Sequence, residues 1–183
     1  MEETEFSTYF CKMMEESQAN FYWDLSYNEE QEIHECFFML ESEIPEDASY
    51  KLMDARGRVN TSEKLLLADR IAFYDLSSSY IDPGFYLKAF PVDKEEGIEK
   101  GFIEAFIKYL HQLVNGQRVA LENFLKQDNT QVPEEQFAFT WQDESFRQTI
   151  KTLKDTQRYD FDKITFDLTE TKDKNILEKL KDD

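Results

Sequence analysis

The sequence predicts an α+β fold, mainly helical, built as a single globular domain over residues 1–183 with a small antiparallel sheet in the C-terminal half. Three observations carry that expectation. Apolar residues recur at helical spacing through most of residues 1–127, the period changes to alternation after Pro133, and no linker, repeat or low-complexity tract divides the chain. The 40% apolar content, with 16 Phe, 9 Tyr and 2 Trp, is enough for a packed core despite 33% charged residues. The chain thus reads as an acidic helical part over residues 1–50, core helices over 61–127 and a strand-containing part over 133–183.

Phe6, Tyr9, Phe10, Met13 and Met14 follow an i, i+3, i+4, i+7, i+8 pattern that places them on one stripe of a helix over residues 3–19. A second helix is expected from Asn28 to just before Pro45. Asn28 would cap its free amides, Glu29 and Glu30 would suit the positive end of its dipole, and Ile33, Cys36, Phe37 and Leu40 would form its core stripe. Residues 47–56 read as a short helix or an extended segment closed by Gly57. Residues 61–74 read as a helix, or as a helix running into a strand over 70–76. Ser77-Ser78-Ser79 and Asp82-Pro83-Gly84 punctuate the middle as loop and turn, and residues 85–90 suit a strand ended by Pro91.

The strongest helix spans residues 93–114, because Ile98, Phe102, Ile103, Phe106, Leu110 and Leu113 belong to an apolar arc of about 200°, too wide for a surface helix. Asn115-Gly116 should stop it as a left-handed cap, with a further helix over 118–127. Phe137, Phe139 and Trp141 alternate as a strand, and Ile164, Phe166 and Leu168 repeat the device. Residues 144–153 and 173–181 complete the pattern as helices. Gly97 and Gly101 give a spacing suited to close packing near a helix start.

The charge is unevenly placed. Fourteen acids and the single cation Lys12 fall in the first fifty positions, so that stretch carries −13 of the chain's −18, whereas the remainder holds 25 acids against 20 bases. Such asymmetry predicts a partner with a basic surface, such as a nuclease, a toxin or a defence complex. The expected function is that of a non-enzymatic acidic binding or inhibitor protein, in the style of small immunity proteins or phage anti-defence proteins that partly mimic DNA. An acidic secretion or assembly chaperone is the alternative. Duplex DNA presents about one charge per 100 Å² of its cylinder, so mimicry requires the acids to be concentrated on one face. The partner-binding candidates are Glu29, Glu30, Glu32, Glu35, Phe38, Met39, Glu41 and Glu43, with Phe38 and Met39 as apolar anchors inside a charged rim.

Other chemistries find little support. Five glycines leave no phosphate-binding loop, and His34 and His111 lack a zinc-ligand arrangement, so no cofactor is expected. Asp160, Asp162 and Asp167 could project carboxylates toward a divalent cation, the weaker reading of an enzyme. Direct nucleic-acid binding is disfavoured because residues 151–181 offset eight bases with seven acids. Cys11 and Cys36 read as buried small hydrophobes. The acidic start and the lack of a long apolar run predict a cytoplasmic protein that does not enter membranes.

Overall fold

A computed structural model describes residues 5–43, 52–53, 59–60, 64–77, 81–126 and 138–167. The order is α1 (Phe6–Glu16), β1 (Tyr22–Asn28), β2 (Ile33–Glu43), β3 (Leu52–Met53), β4 (Val59–Asn60), β5 (Lys64–Asp75), β6 (Lys88–Val92), β7 (Ile98–Glu99), α2 (Lys100–Lys126), α3 (Asp143–Asp155) and β8 (Lys163–Ile164). The principal sheet runs β1-β2-β5-β6, with antiparallel pairing except between β5 and β6, which are parallel. The expectation of a mainly helical chain with a small antiparallel sheet in its C-terminal half is therefore wrong. The fold is a mixed α+β one whose main sheet lies in the N-terminal half, and the later part of the described chain is the helical one.

The decisive error lies in residues 28–43. Their helical stripe of Ile33, Cys36, Phe37 and Leu40 coexists with a period-2 pattern, and pairing to two long neighbours selects the latter. His34, Cys36, Phe38 and Leu40 are buried, while Glu35, Phe37 and Met39 between them are half-buried on the opposite face. Asn28 does act as a local cap, but in a hairpin turn: its Oδ1 accepts from the amide of Gln31 at 3.1 Å, and Glu32 takes the left-handed φ of 53° that reverses the chain. β5 likewise replaces the helical reading of residues 64–69, while the alternative strand over 70–76 matches its C-terminal half. β6 runs through Pro91 because this strand lies at the sheet edge, where a missing amide donor is tolerated.

Other expectations fare better. α1 buries Phe6, Phe10 and Met14 completely, and Phe106 of α2 is also fully buried. α2 nonetheless continues through Asn115-Gly116 for 27 residues without a break. Among the described residues, 138–142 form no strand, although Phe139 is buried, and the strand expected around Ile164 shrinks to the two-residue pair β7–β8. The expected helix over 173–181, Leu168 and most of residues 47–57 lie outside the described residues.

One aromatic cluster joins the layers. Phe73 of β5 meets Phe6, Phe10 and Phe106 with ring centroids 5.1, 6.0 and 5.2 Å apart, and Phe90 of β6 touches Phe102, Trp141 and Phe146 at 5.4, 5.4 and 5.6 Å. Each such pair contributes about 0.5–1.5 kcal/mol beyond area burial. The helices thus cover one face of the sheet.

Candidate functional site: the outer face of the sheet

Strand alternation builds this face. Glu35, Phe37, Met39, Glu41 and Glu43 of β2 lie opposite Ala72, Arg70, Ala68, Leu66 and Lys64 of β5, and β1 sets Tyr22 across from Met39 and Asp24 across from Phe37. An apolar strip results. The Tyr22 and Phe37 rings pack edge to face at 5.9 Å, while Tyr22 and Leu66 remain 57% and 48% exposed. Carboxylates surround the strip: Asp24 is exposed, Glu41 meets Lys64 at 2.5 Å, and Glu35 accepts a hydrogen bond from the Tyr86 hydroxyl. Burial and that anionic neighbour push the Tyr86 hydroxyl well above its ordinary pKa, so it stays a proton donor at neutral pH.

Glu29, Glu30 and Glu32 crown the β1–β2 turn at one end of this face, whereas Glu35, Met39, Glu41 and Glu43 lie on it. Phe38 does not. Its side chain is 0% exposed and packs at 5.0 Å on Phe139 in the core, because period 2 sends it to the side opposite Met39. The residues missed by sequence reasoning are Phe37, Tyr22, Leu66 and Asp24. Alternation through Ile33–Leu40 was the signal that could have found them.

Charge divides by layer. β1, β2, β5, β6 and the turn at 29–32 contain nine acids against Lys64, Arg70 and Lys88, whereas the three helices contain seven acids against eight bases. Seven of the fourteen acids of the first fifty residues, Asp24, Glu29, Glu30, Glu32, Glu35, Glu41 and Glu43, lie on this sheet and its β1–β2 turn.

Of the three carboxylates proposed for metal, those of Asp160 and Asp167 accept hydrogen bonds from nearby groups of the chain. Asp160 and Asp162 offer their carbonyls to the amides of Gly101 and Lys100 at the start of α2, at 2.8 and 2.9 Å, and Asp160 Oδ1 accepts from the amide of Asp162 at 2.9 Å. The Asp167 carboxylate caps α1, accepting from the amide and hydroxyl of Ser7 at 3.2 and 2.8 Å. Among the described residues, no group of three or more His, Cys, Asp or Glu could hold a metal ion.

Ser7, Asp167 and His34 converge without forming a nucleophilic triad. The serine hydroxyl donates to the aspartate, and His34 Nε2 donates 2.5 Å to the Asp167 backbone carbonyl, so no base faces the hydroxyl. His34 is 0% exposed among Phe6, Tyr27 and Phe166, and its Nδ1 has no hydrogen-bond partner among the described residues. Burial holds its pKa below the ordinary imidazole value, favouring the neutral ring.

A family described as "Protein of unknown function (DUF3013)" matches residues 1–164, a span that contains the principal sheet and α1, α2 and α3. The chain belongs to the DUF3013 family. This DUF3013 fold is shared with the crystal structure of a conserved protein of unknown function from Enterococcus faecalis. The two superpose with a TM-score of 0.73 at 21% identity, over 91% of this chain and 97% of that one. No curated protein matches the DUF3013 chain. Among the described residues, no helix is long and apolar enough to cross a membrane.

Proposed function

We propose that this DUF3013 member is a non-enzymatic binding protein whose outer sheet face occupies a basic surface of a partner protein. The single observation that carries this reading is an apolar strip, centred on Tyr22, Phe37, Met39 and Leu66, set inside the acid-rich sheet layer. Desolvated anchors within a charged rim are how protein interfaces divide affinity from steering. The face spans about 700 Å² from the ordinary strand spacing and rise. Its seven acids (Asp24, Glu29, Glu30, Glu32, Glu35, Glu41 and Glu43) against Lys64 and Arg70 leave about one net charge per 140 Å², near the duplex value of about one per 100 Å². A duplex has no apolar strip at its centre, so the matching partner surface is basic at its edge and apolar within, such as a nucleic-acid-binding surface that also carries exposed side-chain hydrocarbon.

The test uses whatever partner co-purifies with the chain from its native host. Association should slow as salt rises from about 50 to about 500 mM, because exposed charges are screened within about 8 Å at physiological ionic strength. Asp24→Lys with Glu43→Lys should slow association, and Tyr22→Ala with Leu66→Ala should speed dissociation. Unchanged kinetics in both double variants would overturn the reading. The same strip also suits an acidic assembly chaperone, which would differ by binding its client unfolded and releasing it on folding.

A further inference from the structure

A cavity of about 540 Å³ opens between α1, α2 and α3, floored by Met13, Ile107 and Leu153. It adjoins a second hollow of about 500 Å³ between α2 and α3, with which it shares Lys108 and Leu153. Both are made by the helices and owe nothing to the outer sheet face.

Charge inside the first cavity is unevenly satisfied. Glu104 accepts the Tyr9 hydroxyl at 2.7 Å, and Glu16 meets Lys12 at 3.9 Å. Lys108 and Arg158 line the same cavity with no carboxylate partner among the described residues, and the Arg158 Nε–H alone is used, donating to Thr156 Oγ1 at 3.0 Å. His111 stands beside them. Ser17 gives its hydroxyl proton to the Met14 carbonyl at 2.6 Å, so at 2.9 Å the Ser17 oxygen accepts from His111 Nε2–H, leaving the other ring nitrogen as an acceptor. Burial lowers the His111 pKa and so favours its neutral form, which leaves Lys108 and Arg158 as the cations of the cavity. Both cations are solvent-accessible, and they stand beside an apolar floor in a lining that also holds Glu16 and Glu104.

We infer that this cavity is a binding site for a small amphiphilic anion, a carboxylate or phosphate head on a short apolar body, with the head held by Lys108 and Arg158 and the body on Met13, Ile107 and Leu153. A guanidinium offers paired donors to an oxyanion and an ammonium offers a point charge, a combination that accepts either head group. The volume lies within the range of ordinary small-molecule sites.

The test is an amide chemical-shift titration of the full chain with hexanoate, hexyl phosphate and, as control, hexylammonium. Because the whole protein repels anions and attracts cations, saturable binding of the two anions has to come from the local cations. The expected result is saturable shifts around Met13, Ile107 and Leu153 with the anions and none with hexylammonium. Affinity should fall roughly tenfold or more in Lys108→Ala with Arg158→Ala and persist in Lys108→Arg. The preference between hexanoate and hexyl phosphate assigns the head group. Hexylammonium saturating like the anions, or the double variant binding with unchanged affinity, would overturn the proposal. Both substituted positions are exposed, and the amide spectrum itself reports whether the variants fold.

Discussion

At the scale of single residues, His34 is a titratable group held within the core. Its ring is fully buried, one nitrogen is tied to the Asp167 carbonyl, and the other lies among Phe6, Tyr27 and Phe166 with no acceptor for a second proton. Burial lowers its folded pKa, opposed by weaker effects of Asp167, so the unfolded chain takes up a proton first as pH falls. The stability contributed by the neutral ring is complete above the ordinary imidazole value of about 6.5 and is lost below it, until the folded-state pKa is reached. His111, also lowered by burial, contributes in the same direction. Urea unfolding between about pH 7.5 and 5.5 should therefore show falling stability, and His34→Gln should flatten the slope while leaving the His111 part. An unaltered slope in the variant would place the proton uptake elsewhere.

At the scale of elements, two glycines of one helix make opposite predictions. A Cβ at Gly101 would lie 2.7 Å from the Tyr159 ring and 2.8 Å from the Asp160 carbonyl, whereas a Cβ at Gly116 would meet nothing within 4 Å. Gly101→Ala should cost about 1–3 kcal/mol by pushing residues 159–162 off the start of α2. Gly116→Ala should add about 1 kcal/mol by restricting the unfolded chain within an ordinary helical position. Denaturant midpoints moving in the same direction would contradict this placement of the two ends of α2. The pair also shows what the sequence carried. The spacing of Gly97 and Gly101 announced close packing, and helical periodicity found α1, α3 and the buried Phe106. Asn115-Gly116 misled because a stop signal is only a local preference, and here the buried side chains of Leu121 and Phe124 continue the helix past it. β2 was illegible for a related reason: its glutamates favour helix in isolation, and only the eleven-residue register with β5 makes extension the lower state. Misreading that period by one face placed Phe38, not Phe37, at the surface.

At the scale of the molecule, the separation of charge between layers means that folding gathers like charges onto one side. Compaction then works against self-repulsion, which salt relieves. Melting temperature should rise by a few degrees between about 20 and 300 mM sodium chloride, and Asp24→Lys should reproduce part of that gain at low salt; a salt-independent melting point would show that Lys64 and Arg70 already neutralise the face. The cap on α1 has a consequence in time. Ser7 donates its amide and hydroxyl to the carboxylate of Asp167, 160 positions later, and Phe6 donates its amide to the carbonyl of Thr165, so the first helix is finished by residues made near the end of the described chain. At ordinary synthesis rates that partner arrives about 8–30 s after Ser7. Throughout that interval Phe6, Phe10 and Met14 have no completed core to enter, so the N-terminal helix waits on the synthesis of residues 165 and 167 before it can dock.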